Sequence, residues 1–276
     1  MQNIEKQLTP EERWNQATLA NNFIFYKVMR SHPDDCKKLL EMLLQVKIRK
    51  MEMHNEETID LDHDKKGIRL DIFVKEKKRM HDIELQVVDT KELPKRARYY
   101  AGLMALDTLK DGEPYCKLRD SHVIFICMED IFKHNLPVYS FENFCKEDFK
   151  VKLNDRDFKH FFIAPTCAKL LKDEELRSFF DFLCSNNPSS EFTSNLKNYV
   201  NNAKHNMQWR FEYMTYLRQR NYDLEQGRQE GREEKAIETA KNMLKMNLGT
   251  ESQIAKVAGL SLEKVKTLAQ QPSTEA

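Results

Sequence analysis

The sequence predicts an α/β domain followed by a helical extension, on three observations. Residues Arg69 to Val87, RLDIFVKEKKRMHDIELQV, alternate apolar and polar side chains on either side of a lysine-rich turn. That period of two marks a pair of antiparallel strands. The run HVIFICM, His122 to Met128, is continuously apolar, as suits a central strand buried on both faces. Beyond residue 166 the strand signals give way to helical ones, AKLLKDEELRSFFDFL and MQWRFEYMTYLRQRNYDLEQ among them. A chain of 276 residues with 40% apolar content can bury a sizeable core. The expected division is 1–170 as the α/β core with N-terminal helices, 171–222 as a helical extension packing on it, and 223–276 as a charged helix followed by a helical hairpin.

Taken in order, Asn15 to Lys50 carries apolar residues at three- and four-residue steps, interrupted at Ser31-His32-Pro33, where a second helix can start. In ETIDLDHDKKG, Asp60, Asp62 and Asp64 stand two apart like the acids of a calcium loop. The glycine such a loop needs is missing, and its twelfth position is Asp71 rather than Glu, so the segment reads as a polar approach to the first strand. In the hairpin, a turn centred on Lys77 and Lys78, or a four-residue loop from Glu76 to Arg79, sets Asp71 opposite Glu84, Ile72 opposite Ile83 and Leu70 opposite Leu85. Arg69, Asp71, Glu84 and Gln86 then share one face, and Ile68, Leu70, Ile72, Ile83, Leu85 and Val87 the other. Opposed like charges, with Cβ atoms about 5 Å apart, are destabilising. A divalent cation between the two carboxylates would offset the repulsion, and oxygen ligation suits magnesium. The alternative is a solvated polar face on an edge hairpin. His63 and His81 read as surface or hairpin-end residues, with no third histidine beside them in the sequence.

The segment KELPKRARYYAGLMALDTLKDG predicts a helix of some 16 residues with Pro94 in its first turn and Gly112 ending it. Leu93, Ala97, Tyr100 and Met104 form the stripe expected to pack on the sheet. Lys95, Arg96 and Arg98 fall just beyond the strand carrying Glu84 and Gln86, where cations could hold phosphate oxygens and Tyr99 could stack on or bond to sugar. A solvated helix face is the other reading. PVYSFENF and KHFFIAP supply two further strands, and the phenylalanines between 125 and 182 read as core. EQGRQEGREEKAIETAKNMLKM reads as a helix exposed over most of its surface. In TESQIAKVAGLSLEKVKTL, Ala255, Gly259 and Val265 occupy the positions a helix-turn-helix uses. The final 28 residues balance three Lys against three Glu, which leaves a structural or oligomerising hairpin as the competing reading.

Asp71, then twelve residues, then Glu84-Leu85-Gln86 resembles the Asp…Glu-x-Lys core of the PD-(D/E)XK nucleases, in the branch with Gln in place of Lys. NNFIFYKVM, GIRLDIFV, DIELQ, LPKRARYY and VIFICMEDIF follow in the order of the PD-(D/E)XK nuclease family transposases, relatives of the recombination-promoting nucleases, from about residue 15 to 260. The resemblance implies a restriction-endonuclease-like core, a mixed central sheet flanked by helices, and magnesium-dependent cleavage of DNA, with manganese as the alternative ion. It casts Asp71, Glu84 and Gln86 as catalytic, and Asp71, Glu84 and the Leu85 carbonyl as metal ligands. Gln86, uncharged, can orient water or a phosphate oxygen but cannot act as a base. Lys95, Arg96, Arg98 and Tyr99 are the expected DNA contacts. Asn22 stands where many members have an acid. The competing functions are a degenerate nuclease that binds DNA without cutting it, and a scaffold that forms homo-oligomers through its C-terminal helices.

With a net charge of +1, any DNA-binding surface must be local and salt-sensitive. The six cysteines, Cys36, Cys116, Cys127, Cys145, Cys167 and Cys184, lack C-x-x-C spacing and read as reduced core thiols of a cytoplasmic protein. No apolar run approaches the roughly 20 residues needed to span a membrane, and MQNIEKQLTPEERW lacks a signal-peptide apolar region.

Overall fold

The computed structural model describes residues 8–53, 58–59, 68–69, 72–76, 78–86, 91–109 and 112–270. The chain divides into two compact units, Met1–Arg210 and Phe211–Ala276. The first opens with helices α1 (Pro10–Gln16), α2 (Asn22–Ser31) and α3 (Pro33–Leu44). A Thr9–Glu12 capping box starts α1, and the Asn21 side chain accepts from the Phe23 and Ile24 amides to start α2. The expected break falls at His32, because proline is accommodated in the first turn of a helix but not in its interior.

Strands β1 (Glu52–Met53), β2 (Thr58–Ile59), β3 (Ile68–Arg69), β4 (Ile72–Lys75) and β5 (Arg79–Gln86) precede helix α4 (Leu93–Thr108). Strands β6 (Asp120–Cys127), β7 (Val138–Phe141) and β8 (Asp157–Ile163) follow. Among the described residues β1, β4, β5, β6, β8 and β7 form, in that order, a six-stranded sheet, and β2 pairs with β3 alone. β4 runs antiparallel to β5, β5–β6 and β6–β8 are parallel, and β7 returns antiparallel on β8. This is the expected mixed sheet, with the apolar run of β6 at its centre, flanked by helices. The calcium-like acids Asp60, Asp62 and Asp64, and His63, lie outside the described residues.

One face of the sheet carries Phe73, Met80, Val123, Phe125 and Phe161 against Leu93, Ala97, Tyr100, Ala101 and Met104 of α4, so the predicted stripe is the packed one. The other face presents Ile72, Val74, Ile83, Leu85, Ile124, Ile126 and Phe162, all buried. Helix α2 packs on β4 and β5 there. Phe180 of α6 (Glu174–Ser185) stacks on Phe162 at 5.9 Å. Helices α5 (Ala164–Leu170) and α7 (Glu191–His205) complete this layer, α5 against α6 and α7 against α2.

Several expectations need correction. α4 ends at Thr108, where Leu109 turns extended, not at Gly112. Gly112, at φ +78°, belongs to a later turn whose left-handed backbone suits glycine. Phe141, Phe144 and Phe149 are exposed rather than core, because β7 is the last strand and the chain beyond it leaves the layered body. Cys116 and Cys184 are exposed and Cys145 half-buried, so only Cys36, Cys127 and Cys167 are core thiols; all six are unbridged. His81 is fully buried rather than at the surface, and from the hairpin end of β5 its Nε2 lies 2.7 Å from Glu76 Oε1. It stacks on His122 at 5.1 Å, and His122 Nδ1 lies 3.2 Å from His160 Nε2. Strands β5, β6 and β8 thus bring together three histidines that stand some 40 residues apart along the chain.

The segments read as two successive helices form one, α8 (Met207–Lys245), 39 residues long. In the second unit α9 (Glu251–Ala258) and α10 (Leu262–Gln270) bury Ile254, Ala255 and Val265 against Ala240 of α8. Gly259 makes the turn at φ +70°, a conformation glycine adopts without a Cβ penalty. No described helix is long and apolar enough to cross a membrane.

Candidate active site

The hairpin register predicted from alternation is the one formed: Ile72 faces Ile83, Phe73 faces Asp82, Val74 faces His81 and Lys75 faces Met80. The loop from Glu76 to Arg79 closes with the Glu76 amide donating to the Arg79 carbonyl at 2.8 Å. Asp71, the proposed partner of Glu84, lies outside the described residues, as do Leu70 and Val87.

The face carrying Glu84 is not a bare chemical surface. Asp82 and Glu84 alternate with apolar neighbours under α4, and they are 0% and 4% exposed. Burying a carboxylate so completely is costly without a matched cation or hydrogen bonds. Helix α4 supplies one from its first turns. Arg96 Nη2 donates to Glu84 Oε2 at 3.1 Å, and Nη1 to Gln86 Oε1 at 2.9 Å. Arg96 Nη2 and Nε both reach the Tyr100 hydroxyl oxygen, at 2.8 and 3.2 Å, one helical turn further on. The guanidinium also lies over the rings of Tyr100 and Phe125, 5.4 and 5.6 Å from their centroids. Its side chain stays 30% exposed, so it spans the buried carboxylate and the surface. Burial first, and the Glu84 carboxylate second, raise the Tyr100 phenol above its ordinary range, so it remains protonated.

On the sheet's other side α2 reaches the same strand end: Asn22 Nδ2 donates to the Leu85 carbonyl at 2.9 Å. An ionised acid at this position could accept but not donate. Asparagine therefore ties α2 to β5 where an aspartate would face the carbonyl with its own oxygens.

The structure brings Glu84, Leu85, Gln86 and Arg96 together at the carboxyl end of β5. Lys95, Arg98 and Tyr99, on the same helix, are exposed, Tyr99 at 41%. Sequence reasoning took Tyr100 for core and overlooked its polar end. The four-residue spacing from Arg96 to Tyr100 was the available signal.

For a divalent ion, the described residues offer two hard oxygen donors from consecutive positions, the Glu84 carboxylate and the Leu85 carbonyl. Among the described residues the first accepts from Arg96 and the second from Asn22; a carboxylate has about four lone-pair sites and a carbonyl two, so each kind of oxygen can serve more than one partner. Among the described residues no three His, Cys, Asp or Glu side chains are grouped to hold a metal. The donor set fits magnesium, which typically takes one or two carboxylates and completes its shell with water and phosphate.

The family model for PD-(D/E)XK nuclease family transposases matches residues 31–256, from the end of α2 into α9. No curated protein and no solved structure matches the chain. A match over most of the sequence, with the mixed sheet and the acid-and-glutamine strand end in place, makes this chain a member of the PD-(D/E)XK nuclease family transposases, with the nuclease-type function that family carries.

Proposed function

We propose that this protein is a magnesium-dependent DNA endonuclease hydrolysing phosphodiester bonds, with Asp71, Glu84 and Gln86 as its catalytic residues. The observation carrying the proposal is the Arg96 guanidinium bridging Glu84 and Gln86 at the end of β5. A nearly buried acid costs stability, and a site that must present oxygen ligands to a cation gives a reason for keeping it.

Glu84, the Leu85 carbonyl and Asp71 would hold the ion, with Asp71 assigned by the sequence pattern alone. When bound, magnesium or manganese lowers the pKa of water and neutralises charge developing on the phosphoryl group. The protein's own groups do the positioning. Gln86 accepts from Arg96 through Oε1, and its amide nitrogen, a donor, is the atom suited to orient a water or phosphate oxygen. Arg96, fixed on three sides and partly exposed, stabilises negative charge at the phosphate. Lys95, Arg98 and Tyr99, on the exposed side of α4, take the neighbouring backbone. The α9–α10 pair serves a second DNA contact or assembly of homo-oligomers.

Nicking of supercoiled plasmid tests the reading. It should appear with magnesium, vanish with chelator, and be lost in Asp71→Ala and Glu84→Ala variants that keep the wild-type circular dichroism. One observation favours a second reading. Arg96 and Asn22 already occupy lone pairs of both described oxygens, as a DNA-binding protein that no longer cuts would allow. Binding without nicking would decide for it.

A further inference from the structure

At the far end of the sheet from Glu84, four separate stretches enclose a cleft of about 880 Å³. They are the approach to β1, the β4–β5 loop, the entry to β6 and the entry to β8. Among the described residues eight Lys and Arg side chains line it against three carboxylates. The whole chain carries 45 cations against 44 acids, and although Lys47 and Lys75 pair with Glu41 and Asp107 outside the lining, at 3.4 and 2.8 Å, the cleft keeps a local excess of cations.

The carboxylates are each committed. Glu76 pairs with Arg79 at 3.2 Å and with the buried His81 at 2.7 Å. Asp120 pairs with Arg156 at 2.6 Å, and Glu52 with Lys50 at 3.3 Å. Arg79 also donates to the Lys47 carbonyl at 3.3 Å, which joins two walls. Arg49, Lys78 and Arg119, one from each of three stretches, make no ion pair among the described residues. Like charges gathered in a concave, low-dielectric wall repel one another and focus a positive field outward. Folding them together is unfavourable unless an anion completes the site.

The lining identifies the anion's class. Among the described residues it contains no aromatic or apolar side chain. A nucleotide or cofactor site would offer a stacking surface for the base. Side chains that supply charge and donors alone recognise phosphate groups. Unpaired cations on three different stretches suit a repeating series of phosphates rather than one.

We infer that this cleft binds the sugar–phosphate backbone of duplex DNA outside the cleavage site. The inference rests on the nuclease reading for the identity of the duplex, not for the existence of the site. From Arg79 to Gln86, β5 covers about 23 Å. The cleft and Glu84 therefore engage phosphates well apart, and the cleft contributes affinity without touching the reacting bond.

The test is binding of a labelled 40-base-pair duplex in chelator, where cleavage cannot occur, as a function of salt. Combined Arg49→Glu, Lys78→Glu and Arg119→Glu substitutions should weaken binding by roughly 30-fold and lower the salt slope by about 2.7, for three lost phosphate contacts. A chelator-bound wild type that ignores DNA at low salt, or a triple variant with unchanged affinity and slope, overturns the inference. So does a cleft that takes tripolyphosphate while duplex fails to displace it. A wild type that never nicks plasmid, yet loses DNA binding in the triple variant, removes the nuclease reading and leaves the cleft standing. Circular dichroism and urea unfolding of the triple variant separate lost contacts from lost structure.

Discussion

Strand β5 ends in two differently built electrostatic environments. At Gln86 the charges are matched: one guanidinium serves one buried carboxylate and one amide, and a helix packed above excludes water from most of the pair. At the Arg79 end the match is incomplete: of eight cations lining an open cleft, Arg49, Lys78 and Arg119 make no ion pair among the described residues. The matched end is costly to disturb, which suits a site that must place atoms. The unmatched end gains by acquiring an anion from outside, which suits a site that contributes affinity. Fold and site chemistry meet in this strand, because its pleat directs Glu84 and Gln86 to one face while its hairpin loop carries the cations.

Substitution at the two ends should separate these roles. Glu84→Ala is expected to reduce plasmid nicking by about 10³-fold or more. Its DNA affinity in chelator should stay within about twofold, since phosphate contacts dominate binding. The cleft triple variant should do the reverse to binding. Parallel loss of both properties in either variant would break the comparison.

Removing the guanidinium is the next largest effect. Arg96→Met leaves the Glu84 carboxylate buried without its cation and should lower unfolding free energy by about 3 kcal/mol, read from urea titrations at pH 7. Adding Glu84→Gln to it should recover most of the loss. If Arg96→Met alone is neutral, the pair is not what holds the strand end.

Acid should act on the cation-rich half. Burial, reinforced by His81, His160, Arg79 and Arg156, pushes His122 down to about 2, and burial with His81 pushes His160 down to about 4. Both lie below the ordinary 6.5, so between those values the unfolded chain binds more protons than the folded one. The stability from these neutral histidines is complete above pH 6.5 and is lost as pH falls below it. From pH 7 to 5 each should cost on the order of 1–2 kcal/mol. Urea midpoints should show this, and His122→Phe should flatten the profile; a profile equally steep in the variant would assign the effect elsewhere.

The smallest effect concerns the Leu85 carbonyl. Asn22→Asp replaces a donor by an acceptor and should destabilise by about 1 kcal/mol in chelator. Magnesium should return part of that in thermal melting, since the new acid adds an oxygen ligand. Equal losses with and without the ion would mean the carbonyl is purely structural.

What the sequence made legible follows from periodicity. The hairpin register from Ile72 to Lys75 was readable because a one-residue slip would move every apolar side chain to the wrong face. The α4 stripe was readable for the corresponding helical reason. Contacts between residues distant in sequence were not. Nothing in a linear pattern aligns His81, His122 and His160 across three strands, or draws Arg49, Lys78 and Arg119 to one cleft. Arg96 was read as a phosphate ligand from its position after β5, but its pairing with Glu84 depends on how closely α4 packs on the sheet. Edge exposure misled for Phe141 and Phe144, since composition does not say which strand is last.

The most direct test is the initial rate of plasmid nicking against magnesium concentration for the wild type and Glu84→Gln, a change that preserves shape and an acceptor for Arg96 while removing the charge. A saturable, ion-dependent rate that collapses in the variant is the expected result. Equal curves for the two proteins would contradict Glu84 as a ligand and, with it, the assignment of chemistry to this end of β5.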